Sequence, residues 1–134
     1  NGEFRIFVLD PASGEELIQV DLLTPVTTLV FDDNTQELIA GSFTGEIYTI
    51  DLGTREVVSE VFNSSGATVG ALGIRSDGLI VTYSTRAVEL IDRESGPTGT
   101  EVLLADSVAA RIQPDGSISS ITADQGFETF VIEE

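Results

Sequence analysis

The tetrapeptide Phe7-Val8-Leu9-Asp10 recurs at a fixed spacing of 41 residues along the whole chain. Its later copies are Tyr48-Thr49-Ile50-Asp51, Glu89-Leu90-Ile91-Asp92 and Phe130-Val131-Ile132-Glu133. Each copy is a short, mostly apolar run that closes on an acidic residue. A constant period of about 40 residues is typical of proteins that stack one supersecondary unit. The sequence therefore predicts a repeat array.

Each repeat also predicts four short β-strands in a constant order, of which the tetrapeptide is the third. In the first full repeat, Val26–Phe31 and Glu37–Gly41 precede the tetrapeptide and Glu56–Val61 follows it. Four short strands per repeat, each bounded by turn residues, are the pattern of a β-propeller blade. We therefore predict an all-β fold, a propeller-like array of four-stranded antiparallel blades. The 134 residues hold about three blades, and the array is open unless other copies complete it.

The turns agree with this pattern. Asp10, Asp51 and Asp92 each open a turn that contains glycine. An Asp side chain at such a position accepts hydrogen bonds from backbone N–H groups two or three residues later, while glycine supplies the positive φ. Asp77-Gly78 and Asp115-Gly116 predict tight hairpins between first and second strands. We interpret these acids as turn caps.

Small residues concentrate on the first strands of the later repeats. In a propeller the innermost strands converge near the axis, so a glycine there indicates close approach of a neighbouring strand. The residues concerned are Gly70, Ala71, Gly73, Ala109 and Ala110.

The stretch from Leu29 to Asp51 resembles a blade of the WD-repeat or quinoprotein-like propellers, and the resemblance extends over essentially the whole chain. The chain has no His and no Trp. Tyr48, Glu89 and Phe130 stand near the position of the family's Trp, so the family's buried Asp-His-Ser/Thr-Trp network is not expected to form. The resemblance implies a divergent propeller and carries no activity with it.

The chain starts and stops at the same phase of the repeat. We predict one repeat domain over residues 1–134, with a partial blade 1–23, blades 24–65 and 66–105, and a partial blade 106–134. Propellers generally close with about four to eight blades, so an array of about three blades leaves an uncovered blade at each end. Unpaired strand edges recruit other chains. The candidate assembly edges are the strands that carry Phe4, Ile6, Val8, Phe127, Thr129 and Val131.

Three arrangements would cover these ends. The chain is a piece of a larger propeller, or two copies close a ring, or copies stack head to tail into a filament. The third strand occurs at both ends, which argues against a simple exchange of a fourth strand. A donated first hairpin and face-to-face packing of blades stay open.

The charge excludes some partners. The chain carries 23 Asp and Glu against six Arg and no Lys, a formal net charge of −17. Nucleic-acid binding requires a basic surface that releases phosphate counterions, so we expect no nucleic-acid partner. No apolar run approaches the length of a membrane span, so we expect no membrane insertion.

The residues that usually carry catalysis near neutral pH are scarce. His, Cys and Lys are all absent, which removes most general bases and nucleophiles. Ser42, Ser84 and Thr122 lie on second strands without a base to activate them. Asp32-Asp33-Asn34 offers oxygen ligands but lacks the spacing of a calcium loop, and we interpret it as a turn. We expect no enzyme activity, no metal site and no cofactor.

Two further expectations concern processing. Asn63-Ser64-Ser65 is an acceptor sequence for N-glycosylation. The chain begins at Asn1 and contains no Met, which suggests cleavage of a longer precursor. From this we expect an extracellular or cell-surface location.

Two functions from different classes follow. The first is a non-enzymatic interaction protein that self-associates through its open blade ends, as a homo-oligomer or a head-to-tail polymer. The second is a segment of a larger propeller with a ligand-binding or catalytic pocket at the axis. A weaker idea is a calcium-dependent adhesin module.

Overall fold

The structure is a computed structural model that describes residues 4–84, 87–103, 107–122 and 126–130. For residues 107–110, 120–122, 126–128 and 130 it describes the backbone alone. All regular elements within these ranges are β-strands. The same ranges contain no helix long and apolar enough to cross a membrane.

Thirteen strands follow one another along the described ranges. Their bounds are β1 Phe4–Leu9, β2 Glu16–Leu22, β3 Val26–Asp32, β4 Glu37–Ser42, β5 Glu46–Asp51, β6 Glu56–Phe62, β7 Ala71–Ile74, β8 Ile80–Ser84, β9 Ala87–Asp92, β10 Gly96–Leu103, β11 Ser107–Ile112, β12 Ile118–Thr122 and β13 Gly126–Phe130.

The strands form four antiparallel meanders in sequence order. Two are complete blades, with strand orders β3-β4-β5-β6 and β7-β8-β9-β10. The first sheet holds β1 and β2, which occupy the third and fourth positions of a blade. The last holds β11, β12 and β13, which occupy the first three positions. The predicted all-β propeller architecture is confirmed.

The blades are arranged side by side with their first strands innermost. The innermost strands β3 and β7 pack closely against each other, β7 also contacts β11, and the outer strands β6 and β10 meet less closely than β3 and β7. This is the radial arrangement of propeller blades, in which sheets diverge away from the axis. Each sheet therefore has one face toward the preceding blade and one toward the following blade.

Apolar side chains fill the space between consecutive sheets. Between the first sheet and the β3–β6 blade the core contains Ile6, Val20, Leu22, Leu38, Ala40, Tyr48 and Ile50. Between the two complete blades it contains Val30, Ile39, Ile47, Val61, Val69, Leu72, Ile80 and Ile91. Between the β7–β10 blade and the last sheet it contains Val81, Val88, Leu90, Ile112 and Ile118. The alternation along each strand follows from the period of two of β-structure.

Close approach near the axis is visible at Gly73. A Cβ atom on this residue would lie 2.3 Å from the carbonyl oxygen of Gln113 in the next sheet. Gly70 shows only an ordinary contact, because a Cβ there would lie 3.4 Å from the carbonyl oxygen of Tyr83. Gly70, predicted to lie on a first strand, directly precedes β7, which begins at Ala71. The side chains of Ala109 and Ala110 lie outside the described set.

The acidic turn caps form as predicted. Oδ1 of Asp10, Asp51 and Asp92 each accepts two backbone N–H bonds, from the residues two and three positions later, at 2.7–3.2 Å. One detail of the prediction is wrong. In the second of these turns the positive φ falls on Arg55 (φ 65°), where the other two turns have Gly14 and Gly96, and not on Gly53.

Candidate interaction surface

One side of the molecule presents apolar side chains that no blade covers. Phe7, Leu9, Leu17, Leu29 and Phe31, which we call the open face, are between 44% and 52% exposed. Leu29 and Phe31 pair with Ala40 and Leu38, and directly paired residues share one face of a sheet. Ala40 and Leu38 pack against the first sheet. Leu29 and Phe31 therefore face the position where the two inner strands of the first blade would lie.

The first sheet carries the rest of the open face. Ile6 and Val20 pack toward the β3–β6 blade, so by alternation Phe7, Leu9 and Leu17 face the opposite way. That is the side on which a preceding blade would pack.

The repeat shows what the same positions do in a covered blade. Tyr48 and Ile50, which lie 41 residues after Phe7 and Leu9, are 6% and 0% exposed. Leu72 and Ile112 lie on first strands, on the face toward the preceding blade, and are 5% and 7% exposed. The open face thus lies at the position of an interface between blades, and no described sheet packs against it.

The strand edge next to this face is also unpaired on one side. β1 pairs only with β2 among the described strands, although it occupies the third position of a blade. β13 likewise pairs with β12 alone within the described residues. Both strands were predicted as assembly edges, and their role in assembly stays a prediction.

The side chains predicted for these edges lie in different environments. Ile6 is buried against the β3–β6 blade, and Phe4 and Val8 are half-buried. Thr129 is exposed. The side chain of Phe127 and the whole of Val131 lie outside the described set. On β1, the outward-facing apolar residues are the neighbours of those predicted, Phe7 and Leu9.

Asn63 lies inside the connection between the two complete blades. It is 5% exposed, and its Nδ2 donates to the carbonyl oxygen of Ala67 at 2.8 Å. Its Oδ1 accepts from the N–H of Gly66 at 2.7 Å. The amide nitrogen that would carry a glycan is thus an internal donor in this fold. Glycosylation at Asn63 stays a prediction, for which the mass of the intact native chain is the test.

A substitute for the WD-repeat polar network lies at the positions of the missing Trp. The Tyr48 hydroxyl lies 2.7 Å from Oγ1 of Thr24, in the connection that precedes its blade. Its equivalent Glu89 accepts from the N–H of Ser64 at 3.1 Å and from the Ser64 hydroxyl. Burial raises the pKa of Tyr48, and its bond to Thr24 opposes this shift. In both blades, therefore, a third-strand polar group anchors the preceding connection.

A charged cluster joins the two complete blades on the side of the β3–β4 and β9–β10 turns. Nη2 of Arg93 lies 2.8 Å from Oδ2 of Asp32, and Nη1 lies 2.7 Å from Oε1 of Glu37. Arg93 also donates to the carbonyl oxygen of Gly78 at 3.2 Å. The cluster borders a cleft of about 500 Å³ between the blades, whose wall includes Asp77 and Asp92.

The ionisation of Asp32 follows from this cluster. Burial opposes its ionisation, but hydrogen bonds from Arg93, from Thr35 and from the N–H of Asn34 outweigh burial and lower its pKa. Asp33, next to it, accepts from the side chain of Gln36 at 3.2 Å. The acidic turn is thus held by donors of the chain itself.

Glu46 and Ser84 are also satisfied by groups of the chain, whereas Oγ1 of Thr49 is buried without a hydrogen-bond partner among the described residues. Burial opposes ionisation of Glu46, but the hydroxyls of Ser42 and Thr44 donate to its carboxylate and lower its pKa. Ser84 lies 3.4 Å from Nδ2 of Asn63. The side chain of Thr122 lies outside the described set. Within the described ranges, no group of three or more acidic residues is placed to hold a metal ion.

Comparison with known proteins gives the class of the fold. No protein-family model matches the sequence, and no curated protein matches it. Among solved structures, the chain is similar to the WD40 β-propeller domain of Doa1, with a TM-score of 0.70 and 19% identity. That match covers 97% of this chain and 44% of the Doa1 domain chain. It is equally similar, at a TM-score of 0.70 and 17% identity, to a chain in the crystal structure of a mitotic checkpoint complex, covering 96% of this chain and 41% of that one.

The chain therefore has a β-propeller fold, similar to that of a WD40 domain. It spans less than half of the length of either structure. At this identity the likeness shows the fold alone.

Proposed function

We propose that this chain is a non-enzymatic protein-interaction module that associates with other copies of itself through its open blade ends, as a ring or a head-to-tail filament. The observation that carries the proposal is the open face. Phe7, Leu9, Leu29 and Phe31 are half exposed there, while Tyr48, Ile50, Leu72 and Ile112, on the corresponding strands and face of covered blades, are 0–7% exposed. Leu17 shows no such contrast, because Val58, 41 residues later, is 53% exposed. Apolar side chains left exposed at an interface position of a repeat support a protein–protein contact there.

The driving force is the burial of these side chains. Full burial of one large apolar side chain stabilises by about 1.5–3 kcal/mol, and half of that gain is still available at each open-face residue. The net charge of −17 on each copy opposes association. Salt screens this repulsion, since the Debye length falls from about 10 Å at 0.1 M to about 3 Å at 1 M. Association is therefore expected to strengthen with salt.

A pair of variants tests the role of the open face. The double variant Leu29→Ser/Phe31→Ser removes two of its residues. The control Val57→Ser/Val58→Ser changes two residues that are equally exposed, at 41% and 53%, but lie on the outer strand β6 of a complete blade. Sedimentation velocity should show that the first variant dissociates at concentrations where the control remains associated. Equal behaviour of the two variants would overturn the role of this face.

A second candidate is a segment of a larger propeller, whose other blades lie in the same polypeptide and complete an axial binding or catalytic pocket. Its support is that the chain spans only 41% and 44% of the two propeller structures it resembles. This candidate predicts that the chain alone unfolds without a cooperative transition and binds dyes that report exposed apolar surface. A cooperative unfolding transition of the isolated chain would count against it.

We also propose an extracellular or cell-surface location. Recovery of the native protein in intracellular fractions alone would refute it.

A further inference from the structure

The last described strand is a sequence copy of the first. The run Phe4-Arg-Ile-Phe-Val-Leu-Asp10 aligns with Phe127-Glu-Thr-Phe-Val-Ile-Glu133 at a separation of 123 residues, which is three periods of 41. Phe, Phe and Val are identical at the first, fourth and fifth positions. The last two positions differ conservatively, since Leu9 aligns with Ile132 and Asp10 aligns with Glu133. β1 and the segment that contains β13 therefore share one sequence pattern.

Among the described strands, the two incomplete blades are short of different strands. The first sheet has third and fourth strands and no described inner pair. The last sheet has an inner pair, β11 and β12, to which β13 adds a third strand. An exchange of a fourth strand alone would break the β1–β2 pairing. An exchange of β1 and β2 together would keep it.

We propose that the β1–β2 hairpin of a second copy replaces β13 on β12, which gives a complete blade of order β11-β12-β1-β2 shared between two copies. The inference rests on the proposed self-association and specifies its geometry. The second copy keeps all β1–β2 hydrogen bonds, and the first exchanges the β12–β13 ladder for one that pairs residues 118–121 with residues 4–7. The same exchange places the inner pair β11–β12 of the first copy over Leu29 and Phe31 of the second.

Register and facing are consistent with this exchange. β13 pairs with β12 through Ser119↔Thr129 and Ser120↔Glu128. A shift of 123 residues puts Ile6 opposite Ser119 and Arg5 opposite Ser120. Ile6 faces the following blade in its own copy, and the exposed Thr129 occupies the corresponding face of the last sheet. No side chain would have to change face, as a one-residue slip would require.

Engineered cysteines test the exchange, because the chain contains no Cys of its own. One preparation carries Arg5→Cys, and a second, of different mass, carries Ser120→Cys. After mixing and mild oxidation, the exchanged register should give a mixed disulfide between the two preparations. The matched control replaces Arg5→Cys by Asp21→Cys. Asp21 pairs with Arg5 on β2 but lies one strand farther from β12, beyond the reach of a disulfide.

The mixed disulfide is expected several-fold above the control, with circular dichroism of each single variant matching the unmodified chain. Its absence in a preparation that still self-associates would overturn the exchange and leave the proposed function standing, with face-to-face packing as the mode. Its absence in a preparation that stays monomeric would overturn both. A second readout uses a synthetic peptide of residues 126–134, which should lower the disulfide yield, while a scrambled peptide should not. Equal yields with both peptides would contradict competition for β12.

Discussion

Arg93 of one complete blade places its guanidinium 2.8 Å from the carboxylate of Asp32 on the neighbouring blade. Asp32 is 6% exposed and Arg93 16% exposed, so both charges are largely removed from water. Arg93 bonds Glu37 of the same hairpin at 2.7 Å, and Ser59 of that blade donates to the carbonyl oxygen of Arg93 at 2.7 Å. The cluster is therefore a cross-blade link within the interface that the apolar layer forms.

Replacing Arg93 should destabilise the chain. Arg93→Met leaves Asp32 buried with its strongest donor gone, and breaking a pair of this kind costs about 2–3 kcal/mol where some solvent still reaches it. The measurement is the free energy of unfolding in urea at neutral pH. Arg5→Met is the control, since the Arg5–Asp21 pair is about half exposed and such pairs contribute below about 1 kcal/mol. Equal losses in the two variants would contradict the account.

The Asp32 carboxylate should make stability depend on pH in one direction. Its pKa in the folded chain is lowered, so its contribution is present above the unfolded value of about 3.9 and is lost as pH falls through the folded value. The difference in melting temperature between the unmodified chain and Asp32→Asn should be largest near pH 6–7 and shrink in acid, on this argument roughly below pH 4. A difference that grows in acid would reverse the sign and refute the assignment.

Replacing Arg55 by glycine should stabilise the folded chain. It holds a φ of 65°, and this left-handed conformation costs a residue with a side chain about 1–2 kcal/mol. Part of that gain is lost because glycine is freer in the unfolded chain. Arg55→Gly should therefore raise the free energy of unfolding by about 0.5–1 kcal/mol.

The reverse change, from glycine to alanine in an equivalent turn, tests the same effect of positive φ on stability. Gly14 occupies the equivalent turn with a φ of 73° and has no neighbour within 4 Å of an added Cβ. Gly14→Ala should lower the free energy of unfolding through backbone strain alone. Stabilisation by Gly14→Ala, or destabilisation by Arg55→Gly, would show that these turns are not equivalent.

The two third-strand anchors should differ in strength. Ser64→Ala removes a hydroxyl bond to the Glu89 carboxylate, and bonds to charged groups contribute about 1.5–3 kcal/mol. Tyr48→Phe removes a neutral bond to Thr24, which contributes about 0.5–1.5 kcal/mol. Urea unfolding should rank the losses in that order, with the exposed Ser65→Ala below both. The reverse order would indicate that Glu89 is stabilised by other groups.

Much of the fold follows from local pattern. The 41-residue period predicted the strand order, and the turn acids Asp10, Asp51 and Asp92 cap as expected, because an Asx turn depends only on residues two or three apart. Arg55 was missed because the period, and not the presence of Gly53, decides which position takes positive φ. An alignment of the three turns at 41 residues would have placed Arg55 opposite Gly14 and Gly96.

The interface residues were predicted less well. The Arg93–Asp32 link joins residues 61 apart, and no local pattern indicates which of many acids an Arg will meet. The open ends were expected from the repeat phase. Which residues form the open face, such as Phe7 and Phe31, depends on which side of each strand faces the next blade. The sequence did not show this for β1, and the packing of Ile6 against the β3–β6 blade does.

The central claim is self-association through the open ends, and the molar mass in solution tests it most directly. Light scattering of the purified chain over a wide concentration range, at low and high salt, should give masses above the 14.2 kDa of one copy, rising with salt. A constant mass of one folded copy at every concentration and salt would contradict the account.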